Sequence, residues 1–203
     1  MEKSWIRPIG VGEVLRQIIG KSITIIIKEE IMTSDGSLQV CAGHEAGCEV
    51  LIHAMKNIFE NEKSAEAILL VVASNAFNSL NRKLFLHNVK VICPVIATFV
   101  INCYSLDSRL FIIGGGEIKS REGTTQRDPV AMAIYAIAII PFLLILIEYP
   151  EKECLSTKNA AFAETAAGKL LSRRSWWDKL CEIGPNFGYF PNSGKTWIVT
   201  KKT

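Results

Sequence analysis

Nineteen consecutive residues, Pro129 to Ile147, carry no charge. A run of that kind has two stable environments. One is a bilayer, which about 20 apolar residues can cross as a helix. The other is the centre of a domain large enough to surround a helix on every side. Pro141 interrupts the run without deciding the matter, since membrane helices tolerate proline better than soluble ones. The rest of the chain favours the second environment, because strand-like and helix-like segments alternate around the run as in an α+β domain. A single membrane span over 129–147 stands as the alternative. With 203 residues, nearly half of them apolar, there is material for such a core in one domain, or in one domain and part of another.

The net charge is +3, and the basic residues are scattered. Arg82-Lys83, Arg173-Arg174 and Lys201-Lys202 read as solvated surface, so charge is compatible with a nucleic-acid partner without proposing one. Six cysteines fall at irregular spacings, and the opening MEKSWIRPIG lacks the apolar core of a secretory signal. Reduced thiols in an intracellular protein, nuclear or cytoplasmic, are the expectation. Cys41, His44, Cys48 and His53 have the residue types of a zinc site, but closed structural sites use tighter paired spacings. Buried thiols on an ordinary helix are the better reading.

Gly10 to Met32 reads as a helix followed by a strand, or as one longer helix, with a turn at Ser34-Asp35-Gly36. His44 to Phe59 has helical spacing, and the apolar run Ile68 to Val72 reads as a strand covered on both faces. Asn78 is placed to cap a helix to about Val89, and Pro94 to open another reaching Tyr104. Arg109–Ile113 and Glu117–Lys119 flank three glycines as a hairpin. Lys169 to Cys181 reads as a helix in which at least one of Trp176 and Trp177 packs inward. Gly188–Phe190 and Thr196–Thr200 read as a second hairpin across Pro191–Gly194.

Five segments carry chemistry when taken in order. They are Arg7-Pro8-Ile9 with Gly10 to Val14; LLVVASNAFNSLNR, Leu69 to Arg82; EGTTQRDP, Glu122 to Pro129; Phe162-Ala163-Glu164-Thr165; and GPNFGYFPNSGKTW, Gly184 to Trp197. Their order and spacing resemble the reverse transcriptases (RNA-directed DNA polymerases) of non-long-terminal-repeat and related retroelements. The resemblance covers nearly the whole chain. It implies a polymerase palm, a split βαβ sheet with helices on one face, in residues 66–203, with part of the fingers in residues 1–65. It also implies a partial domain, because a complete enzyme would add more fingers before it and a thumb after it.

The resemblance further implies nucleotidyl transfer with two magnesium ions, a primer-template and deoxynucleoside triphosphates. The family's metal-binding aspartates correspond to Val72, Glu164 and Thr165, all substituted here. Glu164 alone keeps a carboxylate, so magnesium binding is expected to be weak or lost. Arg7, Phe77, Gln126 and Lys195 fall at nucleotide-binding positions, with Phe77 beneath the sugar; each also has an ordinary reading as surface or core. Where the family has a glycine this chain has Arg127, which would strain any positive φ there. The expected protein is a pseudoenzyme of polymerase descent, or a nucleic-acid-binding module without turnover.

Overall fold

The computed structural model describes residues 10, 12–36, 39–40, 42–61, 66–148, 154–160, 163–168 and 170–201. Helices dominate the first third. The segment open to a helix–strand reading is helical throughout: α1 (Val14–Ile26) and α2 (Lys28–Asp35) break only at Ile27. Glu29 and Glu30 suit the first turn of α2, and Gly36 ends it at φ 57°. Helix α3 (Gly47–Asn61) follows.

The first strand, β1 (Ala67–Val72), leads into the one-turn α4 (Ala76–Ser79). Helix α5 (Arg82–Ile92) is capped by Asn81, whose side chain accepts from the Leu84 N–H at 3.1 Å. The cap therefore lies three residues beyond the expected Asn78. Helix α6 (Pro94–Tyr104) starts at its proline as expected. The hairpin of β2 (Ser108–Ile112) and β3 (Gly116–Ser120) stands apart as a two-stranded ribbon. The uncharged run becomes α7 (Ala131–Glu148). Then come β4 (Cys154–Ala160), β5 (Ala163–Gly168), α8 (Leu170–Phe187), a 3-10 turn at Ser193–Lys195 and β6 (Trp197–Thr200).

The four-stranded sheet has the order β4-β5-β1-β6, and every neighbouring pair is antiparallel. β1 and β4 thus run parallel with β5 between them, joined through α7, and β6 follows α8 on the far side of β1. This is the split βαβ arrangement. The expected hairpin of 188–190 with 196–200 does not form: β6 pairs with β1, and Pro191 makes only an isolated bridge to Ala73.

Helix α7 runs through the centre of the core. Ile134, Ala136, Ile137, Ile139, Phe142, Leu143 and Leu146 are all buried, which explains a helix without a polar face. No helix among the described residues is long and apolar enough to cross a membrane. Leu69 and Val71 of β1 join this core together with Phe85, Trp176 and Leu180. The opposite face of β1 is not bare either: Ile68 packs with Leu51 and Met55 of α3. Helices therefore lie on both faces rather than one. Leu70 is nonetheless 36% exposed, so β1 is not fully covered as its apolar run suggested.

Candidate functional site

The end of β1 organises the residues singled out by sequence. Val72 is half-buried and pairs with Ala163 of β5, while Glu164 stands opposite Val71 and Thr165 opposite Leu70. Directly opposed residues on antiparallel strands lie about 4.5–5.5 Å apart at Cα. Glu164 and Thr165 belong to the strand itself rather than to the turn before it. On the other side, the Asn192 N–H donates to the Val72 carbonyl at 2.8 Å, three residues before Lys195. Lys195 is exposed at the end of the 3-10 turn.

Phe77 lies on α4 just beyond β1. Its ring packs against Tyr135 of α7 at 5.0 Å between centroids and joins the edge of the core. Its carbonyl accepts from the Thr124 N–H at 2.7 Å, and the Gly123 N–H donates to Leu80 at 2.8 Å. Two bonds therefore bind the loop carrying Gln126 onto the turn after β1. Only glycine fits at 123: φ is 65°, and an added Cβ would lie 2.2 Å from the Phe77 oxygen. Gly188 plays the same part at the end of α8, where a Cβ would meet the Ser79 carbonyl at 2.0 Å. Val72, Phe77, Gln126 and Lys195 are thus drawn to one end of the sheet. Arg7 lies outside the described residues, as do Phe162 and Cys41.

Gln126 is half-buried, and Arg127 follows it exposed at φ 71°. The strain anticipated for a non-glycine residue here is present. Asp128 is buried and has a structural role. Its carboxylate accepts from Arg16 Nε at 3.1 Å, from the Tyr104 hydroxyl at 2.7 Å and from the Val130 N–H at 3.1 Å. Burial pulls the Arg16 guanidinium down, but the charge and hydrogen bond of Asp128 outweigh it and leave the group higher than usual. Burial, then Asp128, pushes the Tyr104 phenol up.

The sequence misplaced Arg82. Read as half of a solvated pair, it is 6% exposed. Its guanidinium donates to the carbonyls of Ser120 at 2.8 Å and of Glu122 and Gly123 at 3.0 Å each. Its own N–H donates to Glu122 Oε2 at 2.9 Å. Desolvation lowers this guanidinium, with Glu122 opposing. Arg82 therefore fixes the path of the loop that holds Gln126. Its spacing as the first residue after a helix cap looks like any surface arginine, and nothing in the sequence marks it as buried.

A cleft of about 390 Å³ opens beside this loop, between Gly10, Gly12, Glu13, Arg16 and Gln17 on one wall and Ser108 to Phe111 on the other. Among the described residues, no group of three or more His, Cys, Asp and Glu side chains could hold a metal ion.

A sheet of this order, with β1 and the β4–β5 hairpin side by side and helices packed across it, defines the palm-like fold of reverse transcriptase-related polymerases. The chain is similar to apo telomerase from Candida tropicalis truncated from its C-terminal domain, with a TM-score of 0.62 and 10% identity over 92% of this chain and 41% of that one. It is similar also to telomerase from Candida albicans in complex with a TWJ fragment of telomeric RNA (TM-score 0.62, 11% identity, 94% of this chain, 36% of that one). A third likeness is to telomerase from Candida tropicalis bound to the same kind of RNA fragment (TM-score 0.64, 9% identity, 94% and 34%). The chain spans roughly two-fifths or less of the length of these structures. No protein-family model and no curated protein sequence matches it.

Proposed function

We propose that this chain is a reverse transcriptase-like module, of the type carried by non-long-terminal-repeat and related retroelements, that engages nucleic acid but transfers nucleotides poorly or not at all. The observation that carries the reading is the pairing of β1 with β5. Val72, Glu164 and Thr165, the positions that the resemblance assigns to metal-binding aspartates, belong to two hydrogen-bonded neighbouring strands. Between them they hold a single carboxylate.

Magnesium takes oxygen ligands in near-octahedral geometry and tolerates little displacement. Val72 offers no oxygen, Thr165 offers a hydroxyl, and Glu164 is one methylene longer than aspartate. This donor set does not fit a two-magnesium centre. Phe77, Gln126 and Lys195 are assigned to nucleotide contact by the same resemblance, with Arg7 on the fingers side. The RNA bound to the Candida albicans telomerase supports a nucleic-acid partner for a fold of this kind, here a primer-template.

The test combines primer extension on an RNA template with binding measured over a salt series. The parent is expected to bind a primer-template with affinity that falls as salt rises and to give no extension. A variant with Val72→Asp, Glu164→Asp, Thr165→Asp and Arg127→Gly is expected to gain extension. Extension by the parent would overturn the loss of catalysis, and no binding at low salt would overturn the nucleic-acid reading.

A further inference from the structure

The cleft between α1 and the β2–β3 ribbon is polar, and its charges are almost all matched. Ser108, Arg109, Leu110 and Phe111 follow one another along one wall. Alternate side chains of a strand point to opposite faces, so four successive residues line a cleft only along the strand's edge. β2 pairs with β3 alone, so that edge offers main-chain N–H and C=O groups that no other strand takes up. Phe111 is 77% exposed, with the Arg109 guanidinium 5.8 Å from its ring centroid. Both cations of the cleft already have carboxylates. Arg16 binds buried Asp128, and Arg109 holds Glu117 through two bonds of 2.7 Å each. The lining also carries polar groups without a partner among the described residues: the Ser108 and Thr125 hydroxyls and the Gln17 amide oxygen, with exposed Glu13 near them.

We infer that this cleft receives one base of an unpaired RNA or DNA strand, a site that rests on the nucleic-acid partner proposed above. A nucleobase is flat, neutral and edged with both donors and acceptors, and the cleft matches each of these properties. Arg109 and Phe111 are two planar groups in contact, and a base laid on them extends the stack. Its edge then meets hydroxyls able both to donate and to accept, the acceptor of Gln17 and the open edge of β2. A volume of about 390 Å³ lies at the small end of ligand sites, room for one nucleotide unit rather than a duplex. Phosphate is not what the cleft itself selects, because its cations are taken up by carboxylates and Glu13 would repel an anion. The phosphates on either side of the base meet exposed cations outside the cleft. Lys119 stands in register with Arg109 on the same face of the ribbon, and exposed Arg127 lies between Thr125 and Asp128 in the chain. Like charges directly opposite one another on a ribbon repel, and a phosphate at Lys119 relieves that repulsion. A free nucleotide lacks the second flanking phosphate, so a strand is the better occupant.

Fluorescence anisotropy tests this with a labelled cytosine oligonucleotide about eight nucleotides long, within the span of one small single-strand site, and its abasic counterpart. Both carry the same phosphates, and each is made as DNA and as RNA. The parent chain is expected to bind the base-bearing strand at least about fivefold more tightly in one sugar form or both, the low end for a stacked base. Phe111→Ala, at an exposed position, should remove that preference with little change in abasic binding, and Phe111→Trp should keep it. Gln17→Ala, on the opposite wall, should reduce it, as expected for a base in the cleft rather than elsewhere on the ribbon. Equal affinity for the two strands, a preference indifferent to Phe111→Ala or to Gln17→Ala, or competition by cytidine monophosphate at equal concentration would each overturn the inference. A primer-template that still binds in those cases leaves the nucleic-acid reading standing, whereas no binding of any strand at low salt removes both.

Discussion

Arg127 holds φ 71° without a glycine's freedom. For an L-residue this left-handed conformation costs about 1–2 kcal/mol, and replacement by glycine returns roughly half of that to the unfolded chain as entropy. Arg127→Gly is therefore expected to raise unfolding stability by about 0.5–1 kcal/mol, read as a higher urea midpoint at unchanged slope. Cys93 offers a pH-dependent counterpart. Burial, then the charge and hydrogen bond of Glu30, push its thiol from the usual 9.0 to about 11. In the unfolded chain the thiol releases its proton near 9, while the folded chain holds it to about 11, so the unfolded state binds fewer protons in that window. Stability contributed by the protonated thiol is thus complete below pH 9 and lost as pH rises toward 11. Tyr104, also raised, adds a loss of the same sign above its ordinary 10. Peptide mapping after thiol labelling at pH 9 should find exposed Cys48 and Cys181 modified and Cys93 untouched; labelling of native Cys93 would contradict the shift. The Arg127 strain was legible because the reverse transcriptase resemblance implies a glycine at that position. The burial of Arg82 and Asp128 was not, since both depend on carbonyls and side chains far away in sequence.

Among elements, those with local signals match the expectation, β1 and β6 included as strands, whereas strand partners and a strand without propensity were set by tertiary pairing. Pro94 opens α6, Gly114 and Gly115 turn the β2–β3 hairpin, and helical periodicity marks α3. Strand β5, with the sequence AETAAG, has almost no strand propensity and exists because β1 and β4 flank it on either side. Likewise β6 chose β1 over its neighbour in sequence. The cap of α5 differs from the expected one for a subtler reason: Asn78 and Asn81 both precede helical periodicity, but Asn78 is itself taken up in the one-turn α4. Asn81→Ala is expected to cost about 1–2 kcal/mol, the upper range for a cap, because its amide also donates to the Asn186 carbonyl at 3.2 Å. Asn78→Ala should cost less, since its Oδ1 is buried without a hydrogen-bond partner. Parallel thermal or urea melts of the two variants check the order, and a larger loss at Asn78 would contradict this account of the α4–α5 junction.

For the whole molecule, the uncharged run and the ordered motifs were enough to choose a palm-like α+β fold with one helix through its centre. They could not supply the state of a metal site, because that depends on which donors converge. Stability can report it independently of turnover. Val72 is half-buried between β5 and the Asn192 turn, so Val72→Asp brings a carboxylate to a partly apolar place at a cost of roughly 1–3 kcal/mol. In chelator, the variant with Val72→Asp, Glu164→Asp and Thr165→Asp should therefore melt below the parent. If three carboxylates on β1 and β5 rebuild a cation site, binding of magnesium to the folded state alone adds RT ln(1 + [L]/Kd), about 2.7 kcal/mol at a hundredfold excess over Kd. For a chain of this size that is roughly 5–10 °C of melting temperature. The parent, with one carboxylate among the three positions, should gain no more from magnesium chloride than from sodium chloride of equal ionic strength. A metal-specific rise in the parent would place a working cation site in the natural sequence. A restored variant that magnesium leaves unmoved would show that three aspartates at these positions do not converge, and the assignment of Val72, Glu164 and Thr165 as the metal positions would fall with it.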